Sequence, residues 1–318
     1  KYSYFSLLVG LTLVIVACAT PDNAEPPAEL TTISDPQPVR QLWSRDVGQG
    51  IVLNFYDMQP LVLDGAIYTI DTQGQIMQVD PDSGKVQWSY QSGLAAISGL
   101  SGNSGGLVAG SRNGELVMFD FIQNFLQPRW RIQLNSEIRS KAAVDAGQVF
   151  VRTVDGRLSA INADNGQLLW SVSRRVTALS LTGNSHPVVS QDLVISGFDN
   201  GQLVAFERDN GSTAWETQVT TASGRTEIER LIDLDGQFLL RDGVLYVSSF
   251  QGNLAAVTVT NGQVIWSRKF SSFQAMDADS QALYLTDEKS HIWSIDRRTG
   301  SAFWKQDVLN ARKITAPR

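Results

Sequence analysis

Few residues in this chain could do covalent or metal chemistry. There is one cysteine, Cys18, and there are two histidines, His186 and His291, about a hundred positions apart. One cysteine cannot build an internal disulfide framework or a cysteine-rich metal site. Two histidines so far apart lack metal-ligand spacing, and both read as ordinary surface or loop residues. No acid cluster recurs at a position that would suit catalysis. Neither a cofactor nor a metal is expected. The formal net charge is −6 over 318 residues, which argues against a surface built to neutralise nucleic-acid phosphates. It leaves a protein partner open.

Cys18 has a chemistry of its own. Residues 1–17 read KYSYFSLLVGLTLVIVA, with Lys1 ahead of an apolar run from about Phe5 to Ala17. The run is shorter than the roughly 20 residues that span a bilayer as a helix. It fits the apolar core of a secretory signal peptide. No methionine begins the sequence, so at least one residue is expected before Lys1. The run ends Ile15-Val16-Ala17-Cys18, which matches the bacterial lipobox. In that signal the chain is cut before the cysteine, the thiol takes a diacylglycerol and the new amino group takes a third acyl chain. Three chains anchor stably, whereas one alone is marginal at about 0.8 kcal/mol per buried methylene. The alternative is a plainly secreted protein in which Cys18 is incidental. Ala19 follows the cysteine where inner-membrane retention resembles a rule with aspartate, so outer-membrane sorting is implied. The segment 18–41 has five prolines and few large apolar residues. It reads as an extended tether without a core of its own.

The elements that must position any site come from a repeat. Trp43, Trp88, Trp130, Trp170, Trp215, Trp266 and Trp304 recur every forty-odd residues, and only Trp293 falls off the series. Gly84, Gly166, Gly211, Gly262 and Gly300 each precede one of them by four positions. A second mark, a turn followed by Leu or Ile, occurs at Gly74, Gly114, Gly156, Gly201 and Gly252, with Ser290 in the last copy. Asn-Gly pairs at 113, 165, 200, 210 and 261 suggest two-residue hairpin turns, in which both central residues need positive φ. Each unit therefore reads as a four-stranded antiparallel sheet, and no helical period competes. Four-stranded repeats of 40–50 residues indicate an all-β propeller, since one blade cannot bury both of its faces. The tryptophans read as packing between blades. Residues 42–318 supply about six complete blades. The strand at Trp43 lacks its own preceding strands, and too little follows Trp304 to close the ring. An open ring would expose a sheet edge, so further blade sequence is expected beyond residue 318.

The decapeptides 79–88 and 161–170, VDPDSGKVQW and INADNGQLLW, resemble the PQQ-type propeller repeat. Residues 46–57, DVGQGIVLNFYD, and 223–235, SGRTEIERLIDLD, are similar to segments of the BamB family of outer-membrane β-barrel assembly lipoproteins. With the lipobox, this resemblance spans essentially the whole chain. It implies an eight-bladed, non-enzymatic scaffold that binds the POTRA domains of BamA, the barrel component, and assists folding and insertion of outer-membrane proteins, with unfolded outer-membrane proteins as a further implied partner. By match, Asp233 and Asp235 are implied as acidic contacts, with Arg230 beside them. Leu179 and Leu181 are implied as apolar contacts on a neighbouring loop. The family typically has arginine where this chain has Thr182.

The 223–235 segment stands out without the family. It lies in the longest interval, between Trp215 and Trp266, and eight of the eighteen residues from Arg225 to Asp242 are charged, against 18% overall. The bland alternative is a solvated loop. Apolar anchors ringed by charge suit a modest, partner-specific interface. Two rival functions remain open: a quinoprotein dehydrogenase relative, and a periplasmic binding propeller with another partner.

Overall fold

Each repeat folds into a four-stranded antiparallel sheet whose strands follow one another in sequence order. The computed structural model describes residues 25–33, 35–49, 58–122, 125–174, 185–221, 234, 236–272 and 274–317. Six such sheets lie among the described residues, at 61–91, 101–133, 143–173, 188–218, 239–269 and 276–306. We number them blades 1 to 6. The first strands of blades 1 to 4 lie beside one another in succession, so each blade starts inside the ring and ends at its rim. This is the propeller that the repeat predicts.

Burial accounts for the residue pattern. The second and third strands of a blade are covered on both faces by neighbouring blades, so they read as continuous apolar runs. In blade 4, Leu193–Gly197 and Gln202–Glu207 are buried almost throughout. The rim strand Thr213–Gln218 is exposed or half-buried along its length. Among the described residues the core divides into five clusters, each between two adjacent blades. One joins Phe150 and Ala160 of blade 3 to Val194 and Phe206 of blade 4.

The glycine and tryptophan of one repeat serve different boundaries. Trp170 of blade 3 donates its indole N–H to the Arg208 carbonyl of blade 4 at 2.7 Å. Gly211 of blade 4 lies against the same ring, where a Cβ would sit 2.7 Å from Trp170 Cε3. Trp130, Trp215 and Trp266 make the same pair of contacts, with Gly166, Gly262 and Gly300. Trp43 docks likewise on blade 1, with its N–H on the Pro81 carbonyl and its ring over Gly84. Each of these glycines thus receives the tryptophan of the preceding unit. In all six blades the strand register slips by one residue beside the tryptophan. Such a bulge bends the strand and re-aims a side chain, here the ring that meets the next blade.

The structure moves the two-residue turns. They join first to second strands at Asp64-Gly65, Ala146-Gly147 and Asp242-Gly243, where both residues have positive φ. At Asn113-Gly114 and Asn200-Gly201 only the glycine does. Those turns close with hydrogen bonds from Gly114 N to Ser111 O and from Gly201 N to Phe198 O. Ser290 holds the same left-handed position in blade 6, with φ of 69°.

His291 is a half-buried loop residue just ahead of the third strand of blade 6. Its ring Nδ1 lies 2.8 Å from Asp287 Oδ2, which also accepts the Trp293 indole N–H at 2.9 Å. Burial opposes the charge on Asp287, but hydrogen bonds from Trp293 and His291 outweigh it and hold the carboxyl below its usual range. Part of the expected tether also makes contacts. Ala28 N donates to Asn310 O at 3.0 Å, and Arg312 Nε donates to Ala28 O at 2.9 Å.

Candidate functional site

Two connecting segments carry most of the residues singled out as partner contacts, and both leave the same end of the ring. In blades 1 to 5 the rim strand finishes with a backbone hydrogen bond to the turn between the second and third strands of its own blade. Arg174 N donates to Gly156 O in blade 3 and Val219 N to Gly201 O in blade 4, both at 3.0 Å. The segments joining blade 3 to 4 and blade 4 to 5 therefore start beside those turns. Leu179, Leu181, Thr182, Arg230, Asp233 and Asp235 lie outside the described residues, as does Cys18. The described residues form the frame that carries them.

Arg174 opens the first segment. Its guanidinium donates to Thr213 Oγ1 at 3.0 Å and to Glu216, and lies 5.6 Å over the Phe206 ring. These contacts pin it to blade 4. Ser185, fully buried, is where the described chain resumes. Val219 and Thr220 open the second segment, both buried, and Asn253 Nδ2 of blade 5 donates to Val219 O at 3.1 Å. Leu234 is completely buried in the cluster between blades 4 and 5, with Phe238 beside it. Gly197 makes that fit possible, because a Cβ there would lie 2.8 Å from Leu234 Cβ and 2.6 Å from Phe238 Cζ.

A buried ion pair ties blade 3 to the same strand of blade 4. Arg152 Nη2 donates to Asp199 Oδ1 at 2.8 Å, with the side chains 1% and 6% exposed. The guanidinium also stacks 5.0 Å over Phe198. Arg152 ends the second strand of blade 3, and Asp199 follows the second strand of blade 4. Gly197, Phe198 and Asp199 thus link the blade 3 boundary to the Leu234 anchor. Sequence reasoning missed this pair. The available signal was phase: the two residues are 47 positions apart, about one repeat. Among the described residues no group of three or more His, Cys, Asp or Glu could hold a metal ion.

The sequence profile described as "Outer membrane protein assembly factor BamB" matches residues 29–124 and 98–306. The chain belongs to the BamB family. BamB of Bordetella pertussis is 33% identical over 316 residues, which is 98% of this chain and 80% of that protein. BamB of Alkalilimnicola ehrlichii is 34% identical over 310 residues, again 98% and 80%. The crystal structure of BamB from Moraxella catarrhalis superposes with a TM-score of 0.73 at 24% identity, covering 82% of this chain and 78% of that one. A europium-containing methanol dehydrogenase superposes with a TM-score of 0.54 at 16% identity, covering 70% and 53%. That second likeness is one of fold alone. The BamB relatives are named as assembly factors, and it is to them that the resemblance extends over nearly the full chain.

Proposed function

We propose that this chain is a non-enzymatic scaffold lipoprotein of outer-membrane β-barrel assembly, binding the POTRA domains of BamA. Family membership over nearly the whole chain carries the reading. The frame supports it, since the two segments singled out for partner contact start from one end of the ring. Leu234, fixed in the core, is joined in sequence directly to Asp233 and Asp235. Those carboxylates, with Arg230, supply the charged part of the interface. Leu179 and Leu181 supply apolar contacts, with Thr182 beside them. In this reading 1–17 is a signal peptide, Cys18 bears the lipid, and the tether to residue 41 places the propeller at the periplasmic face of the outer membrane. The chain does no chemistry. It positions BamA for incoming barrel strands.

The test is affinity purification from a native envelope. The unaltered chain retains BamA. Asp233→Lys with Asp235→Lys loses it while circular dichroism and the urea midpoint stay unchanged. Cys18→Ser leaves the outer-membrane fraction. Full retention of BamA by the folded charge-reversed protein would refute the site, and a membrane-bound Cys18→Ser protein would refute the anchor.

A further inference from the structure

Trp88 breaks a pattern that the other blade boundaries keep. Trp43, Trp130, Trp170, Trp215 and Trp266 each donate the indole N–H to a main-chain carbonyl of the next blade, 2.7 to 2.8 Å away. Blade 2 lacks the turn that supplies such a carbonyl. Its last two strands, Glu115–Ile122 and Phe125–Gln133, run on beyond the length of their counterparts. No glycine arrives over the Trp88 ring, and no acceptor for its N–H stands among the described residues. Tyr68 backs the ring at 6.1 Å, and Phe121 of blade 2 backs Tyr68 at 5.5 Å. In front lies an open cleft of about 570 Å³ whose walls include Ala66, Val79, Trp88 and Phe125. Phe125 is 72% exposed. Asp64, Gln78, Asp80 and Gln87 line it too, so the cleft is of mixed polar and apolar character.

We propose that this cleft binds an extended polypeptide segment, with an aromatic or branched side chain between Trp88 and Phe125 and a main-chain carbonyl on the Trp88 N–H. Three observations select that occupant. The missing group at this boundary is a main-chain carbonyl, because that is what the other five boundaries provide. The rim strand Val86–Gln91 has strand neighbours on one side only, and an open sheet edge accepts an added strand. The rim of the cleft carries Asp64 and Asp80, which favours a segment with basic side chains beside the apolar one. Ser83 donates twice to Asp80 Oδ1, at 2.6 and 2.7 Å, and so holds that carboxyl below its usual range. Asp80 therefore stays negative at neutral pH. The proposal rests on the scaffold reading and gives the scaffold a client site. Strands of membrane barrels alternate apolar and polar residues, with aromatic girdles near their ends, which is the chemistry the cleft would take.

A fluorescein-labelled peptide of about ten residues, alternating aromatic or branched with polar side chains and ending in lysines, is titrated with the full chain and followed by anisotropy. Saturable binding is expected. Trp88→Phe keeps the ring and removes the N–H, and should weaken binding about fivefold, the worth of one net hydrogen bond. Phe125→Ser should weaken it at least about tenfold. Phe303→Ser, at the exposed rim of blade 6, should change nothing. The cleft is ruled out by absence of saturation, by equal affinity for a peptide with its apolar residues replaced by serine, or by unchanged affinity in both cleft variants. Self-association that Phe125→Ser abolishes would also overturn it, making the cleft a contact between copies. Phe125→Ser should still retain BamA. Loss of peptide binding without loss of BamA separates failure of the cleft from failure of the scaffold reading.

Discussion

Arg152 and Asp199 show how far a single buried charge can be leaned on. Two ions leave water to meet at 2.8 Å between blades 3 and 4. The attraction at that depth repays desolvation only while both partners remain. Nε and Nη1 of Arg152 find no acceptor among the described residues, so the pair is incompletely satisfied. Arg152→Met should therefore destabilise the fold by about 3–5 kcal/mol, because it strands the Asp199 carboxylate. Arg152→Met with Asp199→Leu should recover much of that loss. Urea unfolding of the two variants decides it, and a single variant within about 1 kcal/mol of the parent would mean that water reaches the carboxylate. At this scale the sequence was least informative. Charged residues of different repeats carry no mark of who meets whom. The partner contacts at Leu179, Leu181, Thr182, Arg230, Asp233 and Asp235 came from family resemblance, not from any spacing that chemistry demands.

At the scale of elements the legible signals are those that sterics forces. Glycine beneath a tryptophan is such a signal, since a methyl group would collide with the ring. What could not be read was that the glycine and tryptophan of one repeat face opposite ways, because closeness in sequence says nothing about which neighbour packs where. The Asn-Gly pairs misled for a related reason. That dipeptide suits more than one turn, and the true two-residue turns follow first strands only three residues long. Two glycines separate backbone strain from packing. Gly147 has φ of 78° and open space around it, whereas Gly211 has φ of 73° and the Trp170 ring 2.7 Å from where a Cβ would stand. Gly147→Ala should cost about 1–2 kcal/mol, the left-handed penalty alone. Gly211→Ala should add about 1–3 kcal/mol for overpacking at the blade boundary. Equal urea midpoints for the two variants would show that the Trp170 ring moves aside freely.

For the whole molecule, repetition and interaction fall in different places. The blades repeat because each must cover the next, so sequence periodicity exposed the architecture almost completely. Interaction is expected where the period is broken: in the long interval before blade 5 and at the boundary that blade 2 leaves without a turn. A break in period can be seen in a sequence, but the chemistry that fills it cannot, because no local pattern dictates it. If the division is real, fold and function should separate by mutation. Replacing 223–232 with a Gly/Ser stretch of equal length, while keeping Leu234 and Phe238, should leave unfolding free energy within about 0.5 kcal/mol, as for surface changes elsewhere. It should also weaken BamA retention, because it removes Arg230 while leaving Asp233 and Asp235 in place. Leu234→Ala should do the reverse of the first effect, costing about 2–5 kcal/mol, because it empties a fully buried site between blades 4 and 5. The two variants differ only in whether they touch the buried anchor or the charged segment it closes. A large stability loss from the replacement would mean that the segment is part of the core, and that blades 4 and 5 depend on it for their packing.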